Sequence, residues 1–246
     1  MERFDCLDGT PWRVYYDRSV FPPGTDSFLL SAFPALRPNT RVCDLGCGTG
    51  LLGLLLLRRE PCLSVTGVEI SPRALELAGR AAAENGLAGR MTFLQGDLRR
   101  PEELPGCGSF DLAVCNPPYF SVGAGAPADG KARQVARSEA GCTVEEVCRC
   151  AARLLRWDGR FCLVYRPERL CDALLALRES GLEPKRLRMV QNTASAAPSL
   201  VLIEGRRGGR PGLRAEPPLL LQNTDGTPSA ELNAAYGRSA PGALDS

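Results

Sequence analysis

Histidine is absent from the 246 residues of this chain. Its absence excludes Ser-His and Cys-His nucleophile pairs, which need an imidazole as base. It also thins the supply of metal ligands. The eleven cysteines include no Cys-x-x-Cys pair, and Cys148 and Cys150 flank Arg149 in an expected helix, where their side chains diverge. No metal is expected. An odd number of cysteines spread along the chain reads as reduced thiols used for packing, not as a disulfide framework. Long apolar runs are missing too. The aliphatic stretch from Leu51 to Leu57 is broken by Gly53 and falls far short of a bilayer span. Met1 to Asp5 shows no basic stretch leading into an apolar region, so no secretory signal is expected. The expected location is cytoplasmic, with no membrane partner. A large charge imbalance is also lacking, since the net charge is only +2. Whole-protein charge therefore announces no nucleic-acid partner, but its distribution is uneven. From Lys185 to Arg214 there are seven basic residues and one acidic residue, Glu204.

The length suits one α/β core with an appendage. Short apolar runs at 41–45, 63–69, 91–95, 110–115 and 160–165 read as strands. Helical patterns separate them: 51–59, a segment opened by Ser71-Pro72 and stopped at Asn85-Gly86, and 143–156 with Asp158-Gly159 as its exit. A further helix is expected over 168–180, then two strands, 183–191 and 199–204, joined only by a loop and so antiparallel. The alternation predicts an α/β fold with a mostly parallel seven-stranded sheet, helices on both faces, and the last strand antiparallel. Residues 1–40 form a lead-in, with a strand at 12–16 and a short helix over 27–35 capped by Thr25 or Asp26. Residues 41–205 form the core domain. Residues 206–246 form a basic loop and extension, disordered after about Gly237.

Two loops carry the chemistry. Asp44-Leu45-Gly46-Cys47-Gly48-Thr49-Gly50 joins the first core strand to the first long helix. Its glycines allow a tight turn and close approach of a ligand to backbone, and the helix start adds unpaired N–H groups. Such a loop alone also fits nicotinamide or flavin cofactors. Glu69 closes the second strand, where a carboxylate can accept from both hydroxyls of a ribose. Asp97 closes the third, where it can accept from an adenine amino group. A ribose and an adenine handle without a phosphate site fits S-adenosylmethionine. The plainer role for both acids is capping the next helix. The second loop is Asn116-Pro117-Pro118-Tyr119, after the run from Phe110 to Cys115. Consecutive prolines cannot continue a central strand, so the chain leaves the sheet at Asn116. An amide oxygen and the rigid Pro117 carbonyl can together accept both hydrogens of one planar amino group, with the Tyr119 ring, joined by Phe120, stacked on the ring that bears it. That is equipment for methylating an amino or amide nitrogen.

With these motifs in view, the chain resembles a Rossmann-like class I S-adenosylmethionine-dependent methyltransferase. Within that group it is similar to the bacterial tRNA adenine-N6 methyltransferases that modify the adenine just 3′ of the anticodon in a valine tRNA. The resemblance covers nearly the whole chain. It includes Gly24 to Leu30, the 44–50 loop, Asn116 to Phe120, Tyr165 to Leu170, Pro198 to Gly205 and the ending Ala235-Tyr236-Gly237. It departs at Ser138, where relatives often carry histidine before the acid that here is Glu139, and at Asn192 to Ala197, where relatives tend to be basic. The resemblance implies a monomeric enzyme that uses S-adenosylmethionine as donor and tRNA as substrate. It implies Asn116, Pro117 and Tyr119 as catalytic residues, and Asp44, Gly46, Gly48, Gly50, Glu69, Asp97 and Asn116 around the donor.

RNA contact is expected from the basic residues of the C-terminal half. Arg206, Arg207 and Arg210 belong to a flexible cationic loop suited to phosphates, or to a plain solvated turn. Lys131, Arg133 and Arg137 lie in a Gly- and Ala-rich stretch, 120–141, read as a long mobile lid. Trp157 is read as packing. The first competing reading is a protein-glutamine methyltransferase acting on a release factor. It poses the same geometric problem but usually carries a helical domain ahead of the glycine loop, and only 43 residues precede Asp44. A DNA adenine methyltransferase would need an added recognition domain. A non-catalytic RNA-binding module is opposed by the intact loop, Glu69, Asp97 and Asn116.

Overall fold

A computed structural model of the chain describes residues 2–17, 24–117 and 141–238. The two strands at the middle of the central sheet are largely apolar and buried, because parallel strands there are covered on both faces. β3 (Arg41–Leu45) and β6 (Phe110–Cys115) lie at its centre. Alternation sorts their side chains between two cores. Val42, Leu112 and Val114 join the helices α1 (Thr25–Ala32), α2 (Leu51–Arg59) and α3 (Pro72–Glu84) on one face. Cys43, Leu45, Ala113 and Cys115 join α4 (Val144–Leu154) and α5 (Leu170–Glu179) on the other.

The remaining strands are β4 (Ser64–Glu69), β5 (Met91–Gln95), β7 (Leu155–Tyr165), β8 (Leu182–Gln191) and β9 (Pro198–Arg207). Their spatial order is β5-β4-β3-β6-β7-β9-β8. β9 runs antiparallel between β7 and β8, as the short connection requires. The sheet is larger than the seven strands expected. Two short strands, β10 (Arg214–Ala215) and β11 (Leu219–Leu220), pair with the outer edge of β8 and make it nine-stranded. They satisfy hydrogen-bonding groups that an open edge would expose.

Local signals explain several boundaries. Ser71 caps α3 through the Ala74 N–H, with Pro72 in the first turn. Thr143 and Glu146 form a reciprocal capping box at the start of α4. That helix stops at Leu154, not at 156. β7 begins at Leu155 and bulges between its pairings with Phe110 and Leu112, where Asp158 takes φ 68°. Asp158-Gly159 therefore lies inside a strand rather than at a helix exit. α1 begins at Thr25 behind Gly24, which offers no side-chain cap, so neither Thr25 nor Asp26 plays that part.

The lead-in is a hairpin of β1 (Arg3–Cys6) and β2 (Arg13–Tyr16), held against α3 by two hydrogen bonds between Asn85 and the Arg13 backbone. The C-terminal extension ends in α6 (Ala230–Tyr236), capped by Ser229, a helix that the sequence reading left out.

Candidate active site

The strand order reverses between β3 and β6. In an open sheet of this kind ligands bind outside the carboxyl ends of the strands at such a switch point. Leu45 pairs with both Cys115 and Val68, and Glu69 pairs with Gln95. Gly46, Asn116, the Glu69 side chain and Asp97 consequently leave the sheet along one row. Neighbouring strands are about 4.8 Å apart, so the glycine loop and Asn116 emerge side by side.

Gly46, Gly48 and Gly50 have φ of 71°, 53° and 81°, all left-handed. A Cβ on Gly46 or Gly48 would meet nothing within 4 Å, whereas one on Gly50 would press on Ala78, Met91 and Phe93. The first two glycines thus face open space and the third packs the loop onto α3 and β5. Glu69 ties the loop down: its carboxylate accepts from the Gly48 N–H at 3.0 Å and from the Ser71 N–H at 2.9 Å. Each oxygen keeps a second lone pair for a hydroxyl donor. Ile70, next in the chain, is among the few exposed large apolar residues. It offers an apolar wall beside Glu69 that the sequence reading missed.

Asp44 is 2% exposed. Its carboxylate takes a hydrogen bond from the Gly53 N–H in the first turn of α2, and its Oδ2 has no partner among the described residues. Burial, followed by repulsion from Glu69, pushes its pKa up to about 7. A buried acceptor without a donor is expensive, and beside an open glycine loop it suits a cationic ligand. S-adenosylmethionine, with its sulfonium and ammonium, fits that requirement, and Glu69 fits its ribose.

Asp97 follows Gly96, whose N–H donates to the Glu69 carbonyl at 3.0 Å. Arg99 grips its carboxylate through Nε and Nη2, with Nη2 at 2.7 Å from Oδ2. Hydrogen bonding by that guanidinium holds the Asp97 pKa below its ordinary value. Asn116 is half-buried, and its Nδ2 donates to Ser27 Oγ of α1 at 3.1 Å. Pro117 is buried beside it. In the sequence Ser27 belongs to the resembling segment 24–30, but nothing there signals a role for it. Tyr119, Phe120, Lys131, Arg133 and Arg137 lie outside the described residues, as do Ser138 and Glu139.

Arg206 and Arg207 are the last residues of β9, not members of a free loop, because they pair with Glu183 and Leu182 of β8. Arg206 sits opposite Arg160 and is ion-paired with Asp158, while Arg207 donates to the Leu155 carbonyl. Arg160 in turn lies beside Leu112, four residues before Asn116. At about 3.3 Å per residue, Arg206 is roughly 13 Å or more from the site along the strands. Arg210 lies past this end, exposed, its carbonyl bonded by Lys185. The structure does not bring these arginines to the glycine loop. Arg206 instead helps line a groove of about 400 Å³ at the opposite end of the sheet, with Arg37, Arg156 and Arg160 and the carboxylates of Asp111 and Asp158, which pair with Arg156 and Arg206. Trp157 is 72% exposed there, its ring lying over Gly208.

Residues 16–180 match the methyltransferase small domain family. The chain is 35% identical over 204 residues to the tRNA1(Val) (adenine(37)-N6)-methyltransferase of Dickeya chrysanthemi, covering 82% of this chain and 79% of that protein. It is 35% identical over 189 residues to the protein of that name from Porphyromonas gingivalis, covering 74% and 73%. Among solved structures, a predicted O-methyltransferase from Agrobacterium tumefaciens superposes with a TM-score of 0.70 at 21% identity, covering 88% of this chain and 99% of that one. Geranyl diphosphate C-methyltransferase from Streptomyces coelicolor, solved with S-adenosyl-L-homocysteine, gives 0.53 at 16% identity, covering 74% and 76%. At those identities the structural likeness speaks for the fold alone.

Proposed function

This chain belongs to the methyltransferase small domain family and, within it, to the tRNA1(Val) (adenine(37)-N6)-methyltransferases, and we propose that it transfers a methyl group from S-adenosylmethionine to N6 of the adenine next to the anticodon of a tRNA. It acts as a monomer in the cytoplasm, where tRNA is, and needs no metal. The observation that supports this reading most is the register of β3 and β6, which sets the glycine loop and Asn116 side by side.

S-adenosylmethionine supplies a methyl carbon on a cationic sulfur: the N6 electron pair forms the carbon–nitrogen bond while the carbon–sulfur pair leaves with sulfur as S-adenosylhomocysteine. Asp44, Glu69 and Asp97, with the 46–50 loop, hold the donor. Adenine N6 is a poor nucleophile because its lone pair is delocalised into the ring. The Asn116 side-chain oxygen and the Pro117 carbonyl accept its two hydrogens, orient the nitrogen and offset positive charge growing on it. One N6 proton then passes to water, so no base is needed before attack. Tyr119 stacks on the base, which is turned out of an anticodon loop more cheaply than out of a duplex. Lys131, Arg133 and Arg137 contact the RNA. Arg206, Arg207 and Arg210 contact phosphates at a distance; of the three, Arg206 lines the groove at that end of the sheet, where Asp158 pairs with it.

The test is transfer of labelled methyl from S-adenosylmethionine into total tRNA, with total protein offered in parallel, followed by nucleoside analysis. Label recovered as N6-methyladenosine in tRNA is the expected result, and label in protein alone would overturn the reading. Asn116→Ala should lower kcat by about a hundredfold or more while leaving donor affinity intact. Equal loss of both would make Asn116 structural.

A further inference from the structure

We infer that Ser27 is a positioning residue for Asn116, and that Tyr236 at the far end of the chain holds Ser27 in place. The inference rests on the reading of Asn116 given above. A side-chain amide turns freely about two bonds, and only one orientation presents its oxygen to an incoming amino group. The reverse orientation sets one NH2 against another. The Ser27 hydroxyl takes the Asn116 Nδ2 at 3.1 Å, across 89 positions of sequence. With the nitrogen engaged there, the oxygen is directed elsewhere. Ser27 thus restrains the end of the amide that does not touch substrate.

Ser27 stands in the first turn of α1, which is a weak place to anchor anything. The helix has eight residues, and Gly24 at its N-cap makes no side-chain hydrogen bond. Short helices with uncapped starts fray. α6 supplies what the cap does not. The Tyr236 ring lies flat on Phe28, with centroids 4.1 Å apart and planes 7° from parallel, and its hydroxyl is 2.9 Å from Thr25 Oγ1. Thr25 and Phe28 flank Ser27, so both ends of its turn are pinned. α6 is itself fastened, because Arg58 of α2 donates to the carbonyls of Tyr236 and Ala235 at 2.7 and 2.6 Å. The segments 24–30 and 235–237, far apart in sequence, therefore form one prop that bears on Asn116.

The experiment is steady-state methyl transfer to tRNA by the full chain and by Ser27→Ala, Ser27→Thr, Tyr236→Phe, Tyr236→Ala and the Ser27→Ala/Tyr236→Ala pair, with melting temperature recorded for each. Ser27→Ala should lower kcat about tenfold, a loss of the size that one hydrogen bond to a reacting side chain carries. KM for S-adenosylmethionine should move by less than about twofold. Ser27→Thr, which keeps the hydroxyl, should recover most of the rate. Tyr236→Phe keeps the stack and should lose less than Tyr236→Ala, and Tyr236→Ala should cost nothing further once Ser27 is alanine. An unchanged kcat in Ser27→Ala, a loss confined to KM for the donor, or losses that multiply in the pair would overturn the inference. The side-chain amide resonances of Asn116 give a readout that needs no substrate. Ser27→Ala should shift them and speed their exchange, and unchanged resonances would overturn the inference. If the unaltered chain labels no RNA while those resonances do respond, the functional reading fails and the positioning role stands.

Discussion

Replacing Asp44 by Asn isolates one buried charge. The carboxylate is fully enclosed, bonded by Gly53 and faced by Glu69 of β4, with the thiols of Cys43, Cys47 and Cys115 around it. Burial first, and Glu69 second, raise its pKa from 3.8 to about 7. The unfolded chain releases this proton at the lower value and the folded chain at the higher one. Between them the folded state holds the extra proton, so stability falls as pH rises through that window. The full rise is equivalent to about 4 kcal/mol at pH 8. Asp44→Asn keeps the shape and removes the charge, so the donor-free variant should be more stable than the parent at pH 8, by up to that amount, and no more stable near pH 4. Donor binding should show the converse. A cation brought against the unpartnered oxygen favours the carboxylate, so below pH 7 binding must expel a proton. Affinity at pH 6 should then be roughly tenfold below that at pH 8, with close to one proton released. Isothermal titration of S-adenosylmethionine in two buffers of different ionisation enthalpy reads both quantities. Asp44→Asn should bind more weakly at pH 8 and lose the pH dependence. A flat affinity from pH 6 to 8, or the same slope in the Asn variant, would refute the reasoning.

Two glycines on neighbouring elements should respond in opposite senses. A Cβ on Gly67 would lie 2.6 Å from the Cys47 sulfur and 2.9 Å from the Phe93 ring. Gly67→Ala should therefore push the glycine loop, weaken donor binding and lower stability by about 2 kcal/mol in urea unfolding. Gly79 lies inside α3 with nothing within 4 Å of its Cβ position, so Gly79→Ala should stabilise by about 1 kcal/mol and leave turnover alone. Glu204 is buried under Arg186 at 2.9 Å and Arg160 at 3.8 Å. Glu204→Ala leaves Arg160 without its carboxylate and Arg186 with Glu216 alone, and should destabilise by about 2 kcal/mol, seen as a lower urea midpoint. A midpoint within error of the parent would count against the pairing.

Much of the fold was legible because its signals are local. Ser71-Pro72 starts α3 and Gly86 follows its end, and the apolar runs at 41–45 and 110–115 need two-sided cover wherever they sit. The misread boundaries are places where pairing overrode a local cue. Asp158-Gly159 has the composition of a turn, yet β7 runs through it as a bulge against β6. Arg206-Arg207 reads as a charged loop, yet β8 and β7 keep it in the ladder. β10 and β11 have two residues each, too few for any periodicity to show.

The same division runs through the site. Residue type and position along the chain name Asp44, the three glycines, Glu69, Asp97 and Asn116 as candidates, because they cluster where strands give way to loops. Which of them meet was decided by register, a relation between strands that no single segment carries. The Leu45–Cys115 pairing sets the glycine loop beside Asn116. The hold of Ser27 on Asn116, the stack of Tyr236 on Phe28 and the buried, unpartnered oxygen of Asp44 come from packing between distant segments. A sequence records which groups can bond and where the backbone can turn. Distance, burial and the dielectric around a charge exist only once the chain has closed on itself.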